Sequence, residues 1–275
     1  MNAEKRYELC VAGLKSFMDS CAFTEVVVGL SGGIDSALAA TMAADTLGPA
    51  CVHGVLLPGP YSSQHSIDDA TQLAKRLGIS AQTISICEPY EAFAKALATP
   101  CGGKLSGLAA QNTQARCRMV VLMALSNAYG WMLLNTGNKS EAMMGYSTLY
   151  GDTAGAFAVL GGIYKTEVYE LANWRNNHIM AGSHCQAVSP IPQNTIDKPP
   201  SAELAPDQSD ETSLGIDYAT LDQMLYAHIE RGLDEQALLS AGFDETQVTR
   251  VLARVRASAF KRALEPPSPN VDFYA

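Results

Sequence analysis

The stretch Gly29-Leu-Ser-Gly-Gly-Ile-Asp-Ser36 stands between a short β-branched run at 25–28 and an alanine-rich segment at 36–47. Glycines at such a junction let the backbone turn sharply and point successive N–H groups at one spot. The helix that follows adds the positive end of its dipole, so the loop suits a phosphate or pyrophosphate. The spacing matches neither a Walker A loop nor a Gly-x-Gly-x-x-Gly dinucleotide fingerprint. The stretch predicts a phosphate-binding turn between a strand and a helix; the alternative is an ordinary tight turn.

The side chains of this loop suit a nucleotide with its metal ion. Two of them, Ser31 and Ser36, can donate hydroxyl hydrogen bonds to phosphate oxygens. Asp35 faces phosphate favourably only across a cation, which suggests Mg²⁺. We therefore expect the whole loop to bind a phosphate or pyrophosphate group, through Gly29, Leu30, Ser31, Gly32, Gly33, Ile34, Asp35 and Ser36; the family resemblance described below makes that group part of ATP.

Strand and helix patterns alternate on both sides of the loop. Strands are predicted at 25–28, 51–57, 81–86 and 131–135, and helices at 7–22, 36–47, 67–77 and 108–129. Strands separated by helices of this length form βαβ units and a parallel sheet covered on both faces. The sequence predicts an α/β fold with a doubly wound, Rossmann-like parallel sheet.

The second half of the chain is less regular. A helix is predicted at 165–176, whereas 145–162 contains five glycines and 180–210 five prolines, which is typical of loops. Loops of this length are usually functional, and we expect both to order over bound substrate. Five carboxylates between 203 and 217 predict a solvated stretch, and 213–263 returns to helix. We expect one domain, 1–275, with a helical C-terminal extension.

Composition excludes several classes of protein. Nineteen Lys and Arg against 28 Asp and Glu give a net charge of −9, which disfavours a nucleic-acid partner. No apolar run approaches the roughly 20 residues of a bilayer span, and the first 15 residues lack a secretory signal. Seven cysteines without a C-x-x-C pair argue for reduced thiols and against a disulfide framework or zinc site. We expect a cytoplasmic protein.

Ser-Gly-Gly-x-Asp-Ser resembles the loop of the N-type ATP pyrophosphatases, whose fold is adenine nucleotide α hydrolase-like and which cleave ATP between its α- and β-phosphates. Further segments closely resemble motifs of NAD synthetase within that superfamily, over about residues 7 to 265. They are Asn112-Thr-Gln-Ala-Arg-Cys-Arg-Met119, Leu134-Asn-Thr-Gly-Asn-Lys-Ser-Glu141, Gly145-Tyr-Ser-Thr-Leu-Tyr-Gly-Asp152, Lys165-Thr-Glu-Val-Tyr169, Lys198-Pro-Pro-Ser-Ala-Glu-Leu-Ala-Pro-Asp-Gln208 and Phe260-Lys-Arg262.

The resemblance implies roles that the residue chemistry allows. Thr136 follows the fourth predicted strand, at the edge where open α/β sheets bind ligands. Glu141 on the next short helix can face the same crevice as Asp35, and two such carboxylates suit Mg²⁺ beside ATP. The family's pattern places Lys165 and Ser201 with Thr136 on ATP, and a lysine there can neutralise the leaving pyrophosphate.

The resemblance also implies contacts with the dinucleotide substrate. Asn112 and Arg116 lie one turn apart on a predicted helix and offer an amide and a bidentate guanidinium. Together with Glu141 and Lys261 they match the family's substrate-binding positions. Arg118 points elsewhere on that helix and is predicted to be an ordinary surface charge. Asp152 is expected either to bind or deprotonate the incoming nitrogen species or to cap a turn.

The implied reaction is ATP-dependent amidation by a C–N ligase. The nicotinate carboxylate of deamido-NAD attacks the α-phosphorus of ATP, and ammonia then displaces AMP from the adenylated intermediate to give NAD. Asp35, Lys165 and Asp152 are the predicted catalytic residues. The family implies a homodimer, for which the helix at 108–129 is a candidate surface. The alternatives are another ATP pyrophosphatase, such as a tRNA-modifying enzyme, and a non-catalytic nucleotide-binding module.

Three residues depart from the ammonia-dependent members of the family. Leu149 replaces a substrate-contacting lysine, Ala156 an aspartate and Phe260 a histidine, so the chain is more similar to the synthetase half of the glutamine-dependent members. About 30 residues before the loop leave no room for an amidohydrolase domain. We therefore expect free ammonia, or ammonia from a separate glutaminase subunit.

Overall fold

Five parallel strands form the centre of the structure, a computed structural model that describes residues 1–275. The strand order is β3-β2-β1-β4-β5, and every neighbouring pair is parallel. The strands are β1 Val26–Gly29, β2 Val52–Leu56, β3 Ser80–Thr83, β4 Met132–Asn135 and β5 Phe157–Ala158. The order reverses between β1 and β4, as in other doubly wound sheets, so a ligand crevice is expected at their carboxyl ends. The predicted fold class is confirmed.

Thirteen α-helices surround or extend this sheet. They are α1 Ala3–Cys21, α2 Ile34–Leu47, α3 Gln64–Leu77, α4 Cys87–Leu97, α5 Gly107–Tyr129, α6 Lys139–Met144, α7 Lys165–Asn177, α8 Gln193–Asp197, α9 Asp210–Leu214, α10 Tyr218–Leu225, α11 Glu235–Ser240, α12 Glu245–Ala257 and α13 Ala259–Arg262. A 3₁₀ turn at Pro49–Cys51 precedes β2, and a π-helical turn at Tyr226–Glu230 follows α10. No helix is both long enough and apolar enough to cross a bilayer.

Hydrophobic cores lie on both faces of the sheet. One face packs against α1, α2, α3 and α7 around a large cluster that includes Leu38, Leu73 and Leu171. The other face is covered by α5 and α4, where Val27 and Val55 meet Leu122. Helix α2 is buried on nearly every side, which its run of small alanines permits. Burial on two faces explains why β1 is a continuous Val-Val-Val run rather than an alternating pattern.

The helices after residue 209 form a third core. Leu221, Leu225, Val251 and Val255 belong to a cluster that also takes in Met144 of α6. The C-terminal extension therefore packs on the segment that follows β4, next to the expected ligand crevice. The predicted single helical stretch at 213–263 is instead five short helices and a π turn.

Three local predictions were incomplete. The third strand was predicted over 81–86, but its ladder spans Ser80–Thr83; beyond it, Ile84 and Ile86 still donate N–H groups to Leu56 and Pro58. The glycine-rich stretch contains β5, and the proline-rich stretch contains α8. Elements of two and five residues are too short to show a hydrophobic period, which is why the sequence pattern missed them.

Candidate functional site

The loop after β1 has the geometry of an anion-binding turn. Leu30 continues the sheet by donating its N–H to Val55 O at 2.9 Å. Gly32 has φ +79°, and a Cβ there would lie 2.2 Å from the carbonyl oxygen of Ser66. Both the left-handed backbone and the close approach of α3 exclude any residue other than glycine. Gly32 is therefore a structural requirement of the loop.

The polar groups of the loop converge on the start of α2. The hydroxyls of Ser31 and Ser36 lie 3.1 Å apart, and Ser31 Oγ accepts the N–H of Gly33 at 3.2 Å. No side chain caps the first turn of α2. Its free N–H groups and the positive end of its dipole are therefore available to an anion such as a phosphate.

A cleft of about 310 Å³ opens at this edge of the sheet. Its lining includes Gly29, Leu30, Ser31, Gly33, Ile34, Asp35, Thr136, Glu141, Asp152, Lys165 and Ser201. The structure thus brings together most of the predicted site residues. Gly32 and Ser36 lie behind the cleft surface, where they shape the loop. The lining also has an apolar part, with Val55, Leu57, Met119 and Leu122, and apolar surface suits a purine base.

Lys165 occupies the centre of a charge cluster at the floor of the cleft. Its side chain is 2% exposed, and its Nζ donates a short hydrogen bond to Asp35 Oδ2 and lies 3.6 Å from Glu141 Oε1. The remaining oxygen of Asp35 accepts Asn138 Nδ2 at 2.8 Å. Two carboxylates from different strand ends therefore converge on one buried lysine, as the sequence predicted for Asp35 and Glu141.

Asn138 positions both carboxylates, a role that the sequence did not reveal. Its side-chain oxygen accepts the N–H of Glu141 at 3.0 Å, and its own N–H donates to Glu141 Oε2 at 3.4 Å. This reciprocal capping box starts α6 and fixes the Glu141 rotamer. Asn138 is buried, and its amide holds Asp35 at the same time. The Asn-Thr-Gly-Asn motif was the signal that could have identified it.

The environment shifts the proton affinities of the cluster. Burial, reinforced by the nearby negative charge of Asp35, raises the pKa of Glu141 to about 8. Burial disfavours the charged form of Lys165, but Asp35 and Glu141 outweigh it and raise the pKa of Lys165. Burial likewise raises the pKa of Asp210, which lies at the start of α9. Lys165 is therefore a permanent cation among the carboxyl groups of Asp35, Glu141 and Asp210.

Two carboxylates facing one cleft can contribute ligands to Mg²⁺ but not enclose it. No group of three or more His, Cys, Asp or Glu side chains is arranged to hold a metal ion. Magnesium prefers one or two protein carboxylates, with substrate phosphates and water completing its six ligands. The oxygens of Asp35 and Glu141 beside a phosphate-binding loop fit that donor set.

Asp152 caps a turn, which is one of the two roles that the sequence left open, and its place in the cleft keeps the other role as a prediction. It caps a turn by accepting the N–H of Thr148 at 2.5 Å, and it also lines the cleft. The Asp152 side chain is exposed to solvent in the cleft. Desolvation by the surrounding protein nevertheless raises its pKa. Glu265, with a pKa raised to about 7 by burial and by Asp152, lines the cleft nearby.

Three predicted substrate contacts lie outside the lining of the cleft. Asn112 Oδ1 accepts Thr148 Oγ1 at 2.8 Å, and Arg116 Nε donates to Leu149 O at 3.2 Å. Lys261 Nζ donates to the carbonyls of Gly145 and Ser147 at 2.8 and 2.6 Å. All three hold the loop at 145–149, so in this structure they order the Gly-Tyr-Ser-Thr-Leu motif. Their contact with substrate remains a prediction.

Two surface assignments were wrong. Arg118 lines the cleft, where it donates to Leu57 O at 3.0 Å, because α5 turns this face and not that of Arg116 toward β2. The carboxylates at 203–217 are not all solvated: Asp210 is 4% exposed, and Glu203 accepts Ser63 N, Ser63 Oγ and Ser66 Oγ. Both errors concern contacts between residues far apart in sequence, which no local pattern encodes.

The departures from the ammonia-dependent pattern also have a place in the structure. The carbonyl of Leu149 accepts the Arg116 hydrogen bond, and Phe260 is 60% exposed on α13. Ala156 lies just before β5, where its N–H donates to Leu133 O. None of the three lines the cleft beside the loop.

The fold and the geometry of the site together define a Rossmann-like α/β domain with a candidate phosphate-binding loop at the switch point of a 3-2-1-4-5 sheet. The family model described as NAD synthase matches residues 6–265, and the chain belongs to this family. The match includes all five strands of the sheet and the C-terminal helices.

Known proteins support the same family. A glutamine-dependent NAD(+) synthetase of Rhodobacter capsulatus is 44% identical over 268 residues, which are 98% of this chain and 48% of that protein. A solved NMN synthetase of Francisella tularensis is 30% identical, with a TM-score of 0.77 and coverage of 95% and 96% of the two chains. An NH3-dependent NAD synthetase of Campylobacter jejuni is 28% identical, with a TM-score of 0.74 and the same coverage. The chain spans about half the length of the curated relatives it matches.

Proposed function

We propose that this chain is a C–N ligase that amidates deamido-NAD to NAD at the expense of ATP, releasing AMP and pyrophosphate. The observation that carries the proposal is the buried Lys165, paired with Asp35 and directed at the cleft beside the phosphate loop. A buried cation beside the phosphate loop suits the stabilisation of the charge that develops on departing pyrophosphate. Family membership gives the substrate class.

The chain's own residues position the reactants and stabilise charge. A carboxylate is a poor acyl donor, and transfer of AMP to it supplies a leaving group. The first N–H groups of α2 and the Lys165 ammonium lie beside the site proposed for the phosphates that depart as pyrophosphate, and such groups stabilise the charge that grows there. Thr136 and Ser201 both line the cleft and limit where the nucleotide lies.

Mg²⁺ is the metal ion that we propose for Asp35 and Glu141. Their oxygens satisfy its preference for hard donors, and the ion would neutralise phosphate charge during adenylation. The raised pKa of Glu141 favours its protonated form, so a proton competes with the metal ion for this carboxylate.

The nitrogen donor in this proposal is ammonia, free or delivered by a separate glutaminase subunit. Ammonium is mostly protonated at neutral pH and cannot attack in that form, so the site has to take up its proton. Asp152 lines the cleft and has a raised pKa, which suits a group that binds ammonium or accepts the proton.

Further proposals concern the setting of the enzyme. We propose a cytoplasmic location, because the seven cysteines are free thiols, and no nucleic-acid partner, because the net charge is −9. A homodimer is proposed on the exposed face of α5, where Val120 and Met123 are 66% and 39% exposed. Asn112, Arg116 and Lys261 are proposed to contact the dinucleotide once the loop at 145–149 meets its substrate.

One experiment separates the proposed reaction from its rivals. The purified chain is incubated with ATP, Mg²⁺ and either deamido-NAD or the deamidated mononucleotide, the latter because of the similarity to an NMN synthetase. Ammonium or glutamine is the nitrogen source, and AMP and the amidated product are quantified. We expect NAD and AMP in equal amounts with deamido-NAD and ammonium, and Asp35→Ala to abolish both.

Other outcomes are equally informative. Preferential amidation of the mononucleotide would reassign the substrate. Activity with ammonium only at high concentration, restored at low concentration by an added glutaminase and glutamine, would establish the partner subunit. Absence of AMP with either acid substrate, together with retention of tRNA on a filter, would favour a tRNA-modifying enzyme and overturn the proposal.

A further inference from the structure

Tyr218, the first residue of α10, has a hydroxyl without a partner in the protein. The residue is 4% exposed, and its OH is one of only four buried side-chain polar atoms that make no hydrogen bond. Buried hydroxyls almost always find a partner because desolvation without one is costly. An unpaired phenol at this depth therefore indicates a polar group that arrives with a ligand.

The surroundings of this hydroxyl are acidic. Glu141, Asp210 and Asp35 are the charged groups that act on it most strongly, in that order. Lys165 Nζ, the cation among them, lies 5.5 Å from the centre of the Tyr218 ring rather than at its oxygen. Tyr146 satisfies Asp210 with a hydrogen bond of 3.1 Å. Tyr218 thus shares the charge cluster of the site but no hydrogen bond within it.

Packing alone does not require an oxygen at this position. The ring of Tyr218 belongs to the apolar core of the C-terminal helices, with Met144, Leu221 and Val251. A phenylalanine would fill the same volume, keep the cation–π contact with Lys165 and remove the unpaired hydroxyl. Burial raises the pKa of Tyr218, so the hydroxyl keeps its proton and can both donate and accept.

We propose that the Tyr218 hydroxyl contacts the hydration shell of the divalent cation held by Asp35 and Glu141, which makes it a further residue of the active site. Because the charges around the Tyr218 hydroxyl are mainly negative, they favour a cation over an anion beside it. Asp35, Glu141 and Asp210 carry up to three negative charges against one positive charge on Lys165. A bare phosphate is repelled there, whereas a water molecule on a cation can donate a hydrogen bond to the phenol oxygen.

This inference rests on the proposed function only for the identity of the cation. Its test therefore uses metal binding as well as turnover. Binding of Mn²⁺, as a paramagnetic substitute for Mg²⁺, is titrated by electron paramagnetic resonance in the wild type and in Tyr218→Phe. Tyr226→Phe is the matched control, since it deletes a hydroxyl from the turn that follows α10, on a side chain that is 38% exposed.

We expect Tyr218→Phe to weaken Mn²⁺ binding about threefold to tenfold, the value of one hydrogen bond. The Mg²⁺ concentration for half-maximal activity should rise by a similar factor, with the KM for ammonium unchanged. The thermal midpoint of the metal-free protein should stay the same or rise, because the variant loses an unpaired polar group. Tyr226→Phe should match the wild type in every measurement.

Other results would overturn the inference. Unchanged Mn²⁺ binding would show that the hydroxyl does not contact the ion's shell, and a change confined to the KM for ammonium would assign it to the nitrogen substrate instead. A lowered thermal midpoint with unchanged Mn²⁺ binding would give Tyr218 a purely structural role. If the wild type makes no NAD, the proposed function fails, while the Mn²⁺ titration still decides the role of Tyr218.

Discussion

At the scale of single residues, the site depends on a lysine that has almost no contact with solvent. Lys165 is 2% exposed, whereas its partners Asp35 and Glu141 are 17% and 19% exposed. An ammonium at that depth is tolerable only while carboxylates surround it. Its backbone is equally constrained, because Lys165 N donates to Ser140 Oγ at 2.8 Å and Ser140 Oγ in turn donates to Asp222. Both ends of the residue are therefore fixed before any ligand binds.

Removal of the Lys165 charge should affect stability and catalysis together. Lys165→Met leaves Asp35 and Glu141 facing each other without a cation, so we expect the free energy of unfolding to fall by about 3–5 kcal/mol and turnover to fall at least about a hundredfold. Chemical denaturation and initial rates measure the two effects.

A double-mutant cycle distinguishes the ion pair from lost packing. Asp35→Asn combined with Lys165→Met removes both charges, and most of the lost stability should return while activity stays low. If the double variant were as unstable as Lys165→Met alone, the loss would come from packing and the account of this pair would be wrong.

At the scale of elements, the segment between α8 and α9 is tied across the mouth of the cleft. Glu203 accepts three hydrogen bonds, from Ser63 N, Ser63 Oγ and Ser66 Oγ, at 3.1, 2.8 and 2.7 Å. Its carboxylate therefore lies at the positive end of α3, where a negative charge is stabilising. Lys198 adds a contact to Asp69 at 3.1 Å. Glu203 adopts φ +48°, a conformation that costs energy in a residue other than glycine, so these contacts have to outweigh that strain.

Loss of the Glu203 charge should loosen this segment without unfolding the sheet. We expect Glu203→Gln to speed proteolysis at 198–209 and to raise the KM for ATP about threefold to tenfold, with a smaller effect on kcat, because Ser201 lies in the same segment. Asp207→Asn is the matched control: it removes a charge in the same segment, also at positive φ, from an exposed residue. Equal proteolysis of the two variants would contradict the role of Glu203.

Local pattern explains which elements and site residues could be predicted from the sequence. The glycines at 29–33 act through their own backbone, and α2 and α5 are long segments without a helix breaker that end at Gly48 and Gly130, so the loop, its flanking elements and the fold class were predictable. Asp35, Glu141 and Lys165 met as expected because parallel strands end at one edge. Tyr218, Asp210 and Glu203 reach the site from the C-terminal half, and only packing brings them there. Arg118 was misassigned because Arg116, two residues earlier on a different face of α5, has the same guanidinium group.

At the scale of the whole molecule, polar chemistry and exposed apolar surface are separated. The cleft takes up the carboxyl edge of the sheet, whereas α5 presents Val120 at 66% and Met123 at 39% exposure, three residues apart on one side of the helix. Arg116, one turn before Val120, is exposed too and holds the loop at 145–149 through Leu149. A second copy seated on this face would therefore also contact the loop whose residues match the family's substrate motif.

A charge on that face tests the proposed homodimer and its link to the substrate loop. Val120→Glu should convert a dimer into a monomer in sedimentation equilibrium, because an unpaired carboxylate in an apolar interface is costly to desolvate. The thermal midpoint of the isolated chain should change little, since Val120 lies on the surface. The KM for deamido-NAD should rise, as the loop held by Asn112, Arg116 and Lys261 loses the support of the second copy.

The control is Phe93→Glu on α4, where the side chain is 50% exposed. It introduces the same charge elsewhere and should leave both the mass in solution and the KM unchanged. A monomeric wild type, or a Val120→Glu variant that remains dimeric, would remove α5 from the interface and leave the substrate loop to be ordered by the chain's own contacts.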